Sequence, residues 1–142
     1  MKRTQLTAII FFIAIIAGVC VSCKDDTVDS GPIDIVFPDS NVSYGRYVQP
    51  LFDRGCAFRG CHGEDTFDAR GFSLDSYQHA RAKTGIIVQC FPSQPCDPEE
   101  SILVRRIEGL DGLARMPYNR TPLTTNQING IKQWIREYAQ NN

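Results

Sequence analysis

Apolar residues recur at intervals of three and four in four stretches of the chain, a spacing that predicts short α-helices. The predicted helices cover residues 43–55, 75–83, 98–108 and 125–140. Loops rich in glycine and proline join them, and no internal repeat is visible. The pattern predicts an all-α domain. Because such a small domain has a marginal core of its own, a large buried apolar cofactor would supply what the helices lack.

Residues at the predicted helix ends support these assignments. Four polar residues are predicted to be N-caps: Ser43, Asp75, Asp97 and Thr124. Gln127 completes a capping box with Thr124. Pro50 is expected to kink the first helix or to restart it as a first-turn residue. Gly55 and Gly109 are expected to end the first and third helices.

Each predicted helix has one apolar face. The predicted inward residues are Tyr47, Val48, Leu51 and Phe52 in the first helix, Leu74, Tyr77 and Ala80 in the second, Ile102, Leu103, Ile107 and Leu110 in the third, and Ile128, Ile131, Trp134, Ile135 and Tyr138 in the fourth. We expect the first and fourth of these faces to pack together in the core.

The N-terminus has the features of a bacterial lipoprotein leader. Lys2 and Arg3 precede an apolar run over 6–21 that is short for a membrane span and typical of a signal peptide. Ser22-Cys23 resembles the lipoprotein cleavage site, which predicts a signal peptide over 1–22 and lipidation of Cys23. An uncleaved anchor helix is the alternative. Either arrangement tethers the domain to a membrane outside the cytoplasm.

Residues 23–42 are predicted to be the lipidated cysteine and a flexible tether, within which 33–37 could pack on the domain as an extended segment. The charged residues 24–26 resemble the signal that exports some Gram-negative lipoproteins to the cell surface, although an ordinary solvated charge run would look the same. The sequence thus predicts an outer membrane lipoprotein, surface-exposed or otherwise facing the periplasm.

Charge argues against a nucleic-acid partner. The 142-residue chain carries a net charge of −1, and removal of 1–22 leaves 13 basic and 16 acidic residues, a net charge of −3. A mildly acidic domain lacks the basic footprint of nucleic-acid binding. The folded domain is assigned to residues 43–142.

The segment Cys56-Ala-Phe-Arg-Gly-Cys61-His62 carries the candidate chemistry. Two thiols followed directly by a histidine attach a c-type haem: the cysteines form thioethers and the histidine is the proximal iron ligand. The usual spacer has two residues and this one has four. We expect the extra residues to bulge outward, with Gly60 adopting the backbone angles that a bulge requires.

Two other interpretations of these residues remain open. Cys56 and Cys61 could form a disulfide in a domain without haem. Cys56, Cys61, His62 and His79 could bind zinc, although their spacing does not match the usual zinc fingers. Cys90 and Cys96 bracket a short loop, and in an oxidising compartment they are predicted to form a disulfide.

An ordered set of segments resembles the class I cytochrome c domain, of the planctomycete-type family found in bacterial lipoproteins. The resemblance covers about residues 43–140. Its segments, in order along the chain, are 48–52, 61–63, 71–77, 97–103, 115–117, and 122–124 followed by 131–135. The resemblance implies a cytochrome c-like fold of about four short helices around one covalent haem.

The resemblance also implies the second iron ligand and the function. Met116, followed by Pro117, matches the distal ligand loop, and a thioether there favours Fe(II). His79 is the competing distal ligand. Arg105, Arg106 and Arg115 could pair with the haem propionates. The implied function is single-electron transfer between redox protein partners, with no enzyme activity and no small-molecule substrate. The alternative function is a haem-free, disulfide-stapled surface lipoprotein that acts as an interaction or adhesion module.

Overall fold

The computed structural model describes residues 33–110 and 112–142. The predicted signal peptide and the lipidation site at Cys23 therefore lie outside the described residues. Within these ranges the chain is helical and forms no β-strand, so the predicted all-α class is confirmed for this part of the protein.

Five α-helices lie within the described ranges: α1 (Gln49–Gly55), α2 (Phe67–Arg70), α3 (Tyr77–Arg81), α4 (Ile102–Glu108) and α5 (Thr125–Arg136). Three short helical turns accompany them: a π-helical turn at Tyr44–Val48 and 3₁₀ turns at Glu64–Thr66 and Pro98–Glu100. The short helix α2 was not predicted, because four residues are too few to establish a helical period.

The first predicted helix forms at nearly the expected boundaries. The Ser43 hydroxyl accepts a hydrogen bond from the Arg46 N–H, so the predicted N-cap is confirmed. Pro50 lies in the first turn of α1, directly after the π-helical turn, as one of the two predicted possibilities required. Gly55 is the last residue of α1, as predicted.

The second and third predicted helices are shorter than expected. Ser76, rather than Asp75, caps α3, because the Asp75 carboxylate is engaged with the Ser73 hydroxyl and the His79 ring. The third segment is interrupted at Ser101, whose backbone is extended. Ser101 is fully buried and its hydroxyl accepts the Val88 N–H, which holds the interruption in place. The predicted cap at Asp97 is confirmed.

The last helix has the predicted capping box but ends early. The Thr124 and Gln127 side chains each accept the other residue's backbone N–H. α5 ends at Arg136, because Tyr138 and Ala139 have positive φ angles of 72° and 46°. Tyr138 is consequently 41% exposed, and its predicted inward position is wrong.

One core joins the first and last helices. The predicted cluster is confirmed, since Leu51, Phe52, Ile131, Trp134 and Ile135 are all buried in it. In α4 the buried face is Leu103, Val104 and Ile107. Ile102 and Leu110, which were predicted to point inward, are 45% and 61% exposed.

Residues 33–42, called here the N-terminal strap, lie against α5. Asn126 accepts the Phe37 N–H at 2.8 Å and donates to the Phe37 carbonyl at 3.0 Å, as a neighbouring strand would. Gln127 donates to the carbonyls of Ile33 and Ile35. Phe37 is buried over Gly130. The extended segment suggested by the sequence at 33–37 is therefore part of the packed structure, although these residues were assigned to the tether.

Candidate functional site

The Cys56–His62 loop begins where α1 ends. The N–H groups of Cys56 and Ala57 both donate to the Phe52 carbonyl at 2.8 Å, which anchors the start of the loop to the helix. The His62 N–H donates to the Cys56 carbonyl at 3.2 Å and closes the loop on itself. A closed loop of this kind fixes both cysteines and the histidine relative to α1.

The four-residue spacer has a defined conformation. Gly60 has a φ of +74°, so the expectation that it would adopt an unusual backbone angle is confirmed. Its N–H donates to the Asp65 carboxylate at 2.8 Å. Arg59 and Gly60 are exposed, whereas Phe58 is half-buried. The spacer therefore bulges outward only in part.

His62 is held in an apolar setting. Its ring centroid lies 5.2 Å from that of Phe72, and its Nδ1 atom is buried without a hydrogen-bond partner among the described residues. Burial, followed by the positive charges of Arg70 and Arg106, lowers the pKa of His62. A neutral imidazole is the form that ligates metal.

Two adjoining cavities meet at this histidine. The larger, of about 490 Å³, and the smaller, of about 220 Å³, are both lined by Cys56, His62, Arg70 and Met116. Cys61 lines the smaller cavity. All four residues predicted to attach or ligate haem therefore line one or both of these neighbouring cavities, although Met116 is far from the others along the chain.

Met116 reaches this region from the loop that follows α4. Its N–H donates to the Arg106 carbonyl at 2.9 Å, which ties the loop to the end of that helix. The side chain is half-buried against the core. The neighbouring Arg115 turns the other way: its Nε donates to the Ile107 carbonyl at 2.7 Å, and its side chain lies beside Gly109.

The larger cavity is mainly apolar. Its apolar lining, beyond the candidate ligands, is Phe72, Leu74, Ile86, Ile102, Leu103, Ile107 and Leu113. Ile102 and Leu113 are 45% and 66% exposed, and they border this cavity. Helical period assigned Ile102 to the core, and it did not single out Leu113, because that residue lies in a loop.

Every charged residue that lines the two cavities is basic. The five are Arg70, Lys83, Arg105, Arg106 and Arg120. Of the three arginines proposed from sequence, Arg105 and Arg106 line the larger cavity, and Arg115 lines neither. Arg70, Lys83 and Arg120 were not predicted, because nothing in their local sequence distinguishes them from solvated surface residues.

His79 lies apart from this region. Its Nδ1 atom is 3.1 Å from the Asp75 carboxylate and its ring centroid is 4.4 Å from that of Phe67. It lines neither cavity. Among the described residues, no three His, Cys, Asp or Glu side chains come together as a metal-binding group, so the geometry does not assemble the zinc set considered from sequence.

The four described cysteines fall into two kinds. Cys90 and Cys96 form a disulfide, with Cα atoms 5.1 Å apart. Cys56 and Cys61 are free thiols, the first half-buried and the second exposed. Burial, with a smaller contribution from Cys61, raises the pKa of the Cys56 thiol to about 12, against the lowering effect of Arg120.

Comparisons with known proteins leave the family of this chain undefined. No protein-family model matches it, and neither the curated proteins nor the solved structures provide a significant match. In the described ranges, no helix combines the length and apolar character needed to cross a membrane.

Proposed function

We propose that this protein is a c-type cytochrome that carries single electrons through one covalently attached haem. The observation that carries the proposal is the convergence of Cys56, Cys61, His62 and Met116 on one apolar region rimmed by basic side chains. Two thiols, a neutral imidazole and a thioether are the groups that a haem of this class requires from its protein. The finer assignment of the helical fold as cytochrome c-like belongs to the same proposal.

The cavities fit such a group in size and chemistry. The larger cavity, of about 490 Å³, falls within the range of small-molecule sites, roughly 300–1,000 Å³, and the smaller one adds about 220 Å³ beside it. A haem is a flat apolar ring with two carboxylates. The apolar lining would receive the ring, and Arg70, Lys83, Arg105 and Arg106 offer positive charge for the carboxylates.

The residues would have distinct tasks. Cys56 and Cys61 would hold the haem by thioether bonds, His62 would be the proximal ligand and Met116 the distal ligand. When bound, the haem iron supplies reversible one-electron chemistry. The apolar lining would keep water from the ring, and His62 offers a neutral imidazole because burial lowers its pKa. If His62 and Met116 both bound the iron, no position would be left for a substrate, so we propose electron carriage between redox proteins rather than catalysis.

Attachment to the membrane is a separate part of the proposal. Lipidation at Cys23, after removal of residues 1–22, would tether the domain to the outer membrane of a Gram-negative bacterium, with the charged residues 24–26 favouring the cell surface. Replacing residues 1–23 by a cleavable secretory signal peptide that lacks the lipidation cysteine should release the protein from the membrane fraction without changing its absorption spectrum.

The deciding experiment is expression of the full chain in a host with cytochrome c maturation. We expect a Soret band and a mass increase of one haem that survives denaturation, and both should be lost in the Cys56→Ser, Cys61→Ser double variant. A colourless protein containing two disulfides would overturn the proposal and favour the haem-free interaction or adhesion module. The free thiols of Cys56 and Cys61 in the structure support the haem-binding candidate.

The distal ligand has its own test. Met116→Ala should abolish the weak far-red absorbance of a thioether bound to ferric haem iron, because Met116 is the candidate that borders the same cavities as His62. His79→Ala is the matched control, since His79 lies against Asp75 and Phe67 instead. If loss of His79 changes the band and loss of Met116 does not, the assignment is wrong.

A further inference from the structure

The long spacer contributes an aromatic ring to the candidate site. Phe58 lines the smaller cavity together with Cys56, Cys61 and His62. Its carbonyl accepts the N–H groups of Cys61 and Gly63, each at 3.0 Å, so the backbone that carries the ring is fixed on both sides of the histidine.

Arg120 lies over this ring. Its guanidinium carbon is 4.3 Å from the Phe58 ring centroid, well within the range of a cation–π contact. Both side chains are half-buried, and both line the smaller cavity. Phe58 belongs to the segment that carries the cysteines and His62, whereas Arg120 belongs to the loop that carries Met116. The contact therefore joins the two segments that supply the candidate ligands.

The positive charge at this point is held in place and partly shielded from solvent. Arg120 and Cys56 both line the smaller cavity, so the charge faces the same space as that thiol. Arg59, by contrast, occupies the same spacer but is exposed and lines neither cavity. Water and salt screen an exposed charge far more than a half-buried one.

We infer that Arg120, held in place by Phe58, is a positioning residue that closes the thioether side of the cavity and raises the reduction potential of the iron. This inference rests on the proposed haem function. Addition of one electron to ferric iron lowers the charge of the site by one, so a fixed cation nearby disfavours the oxidised form more than the reduced form. The four-residue spacer provides the ring that keeps this cation at the site.

The test is the reduction potential of the haem-loaded full chain with Arg120→Gln, Arg120→Lys and Arg59→Gln. At a fixed ambient potential we expect the ratio of reduced to oxidised protein to fall severalfold in Arg120→Gln and to recover largely in Arg120→Lys. Arg59→Gln also removes one positive charge, but from the exposed side of the spacer, and it should change the ratio of reduced to oxidised protein less. Raising the salt concentration should abolish the Arg59 effect and leave most of the Arg120 effect.

Phe58→Leu tests the pairing. Leucine keeps an apolar wall but loses the ring face, so the potential should fall in the wild-type background and remain unchanged in the Arg120→Gln background. Equal potentials for Arg120→Gln and Arg59→Gln, in proteins that all contain haem, would overturn the inference and leave the proposed function standing. A wild-type protein that never acquires haem would instead overturn the proposed function.

Discussion

At the scale of single residues, the packing of Phe37 depends on a glycine that the sequence pattern does not mark. Gly130 lies in the middle of α5, where glycine is ordinarily unfavourable. A Cβ added there would overlap the Phe37 ring. The glycine is therefore explained by the close approach of the strap, and helical propensity plays no part in it.

We expect Gly130→Ala to destabilise the protein by about 1–3 kcal/mol, the usual range for overpacking a core, although alanine is the better helix former. Phe37→Ala should cost more on its own, because it leaves a cavity. In the Phe37→Ala background, Gly130→Ala should become neutral or stabilising. Urea unfolding of the wild type, the two single variants and the double variant gives the free energy of each. If the effects of the two substitutions simply added, the contact between Gly130 and the Phe37 ring would be contradicted.

The chemistry-bearing residues could be predicted from sequence because their identity carries the signal. Cys56, Cys61 and His62 stand out by chemistry and order along the chain, and Cys90 and Cys96 by their short separation. The contributions of Arg70 and Arg120 could not be predicted in the same way. Their proximity to the cavities is a product of tertiary packing, which gives no local pattern.

At the scale of elements, three of the four predicted caps are confirmed and the one at Asp75 is wrong, whereas apolar periodicity misplaced several helix boundaries. Ser43, Asp97 and Thr124 cap the elements they were predicted to cap, because each cap is a contact between residues close in sequence. The helix interruption at Ser101 depends on Val88 and could not be read locally. The first N–H groups of α4 instead donate to the carbonyls of Gly85 and Ile86.

The capping box of α5 gives a prediction at this scale. Thr124→Ala should lower the free energy of unfolding by about 1 kcal/mol, since it removes the acceptor of the Gln127 N–H. Thr125→Ala is the matched control: Thr125 is exposed in the first turn of the same helix and is not the cap. If Thr124→Ala and Thr125→Ala lowered the free energy of unfolding equally, in thermal or urea unfolding, the cap would contribute nothing specific.

At the scale of the whole molecule, the two ends of the described chain hold each other. The Glu137 carboxylate accepts the N–H groups of Asn41 and Val42, each at 2.7 Å. Asn142 accepts the N–H groups of Tyr44 and Gly45, through its side chain and its backbone carbonyl respectively. Lys132 links α5 to the turn before α4 and to the end of α4, through Glu99 at 2.5 Å and Glu108 at 2.6 Å.

This closure predicts a pH dependence of stability. Burial of Glu137 opposes its charged form, but hydrogen bonds from the Gln133 amide and from Val42 and Asn41 outweigh burial and lower the pKa below its ordinary value of 4.5. A carboxyl with a lowered folded-state pKa stabilises the protein above the unfolded pKa, and that contribution is lost as pH falls through the folded value.

We therefore expect Glu137→Gln to be less stable than wild type at pH 7, with the gap narrowing as pH falls below about 4.5. Exposed Glu64 provides the control, and Glu64→Gln should change stability little, both at pH 7 and at the acidic end of the series. Urea midpoints across the pH series measure the gap. A gap that is constant with pH would mean that the charge of Glu137 is not what holds the strap.

The strap also limits how far the Cys56–His62 loop can lie from the predicted lipidation site at Cys23. Ile33 packs against Gly55, the residue before Cys56, so closely that a Cβ on Gly55 would come within 2.8 Å of its Cδ1 atom. Only residues 24–32 separate Ile33 from Cys23, and a chain of that length spans at most about 35 Å when fully extended. In the proposed lipoprotein, α5 would thus anchor the tether beside the Cys56–His62 loop rather than at the far side of the domain. Electrons would then be exchanged close to the membrane surface, with partners whose own redox groups lie at a similar distance from it.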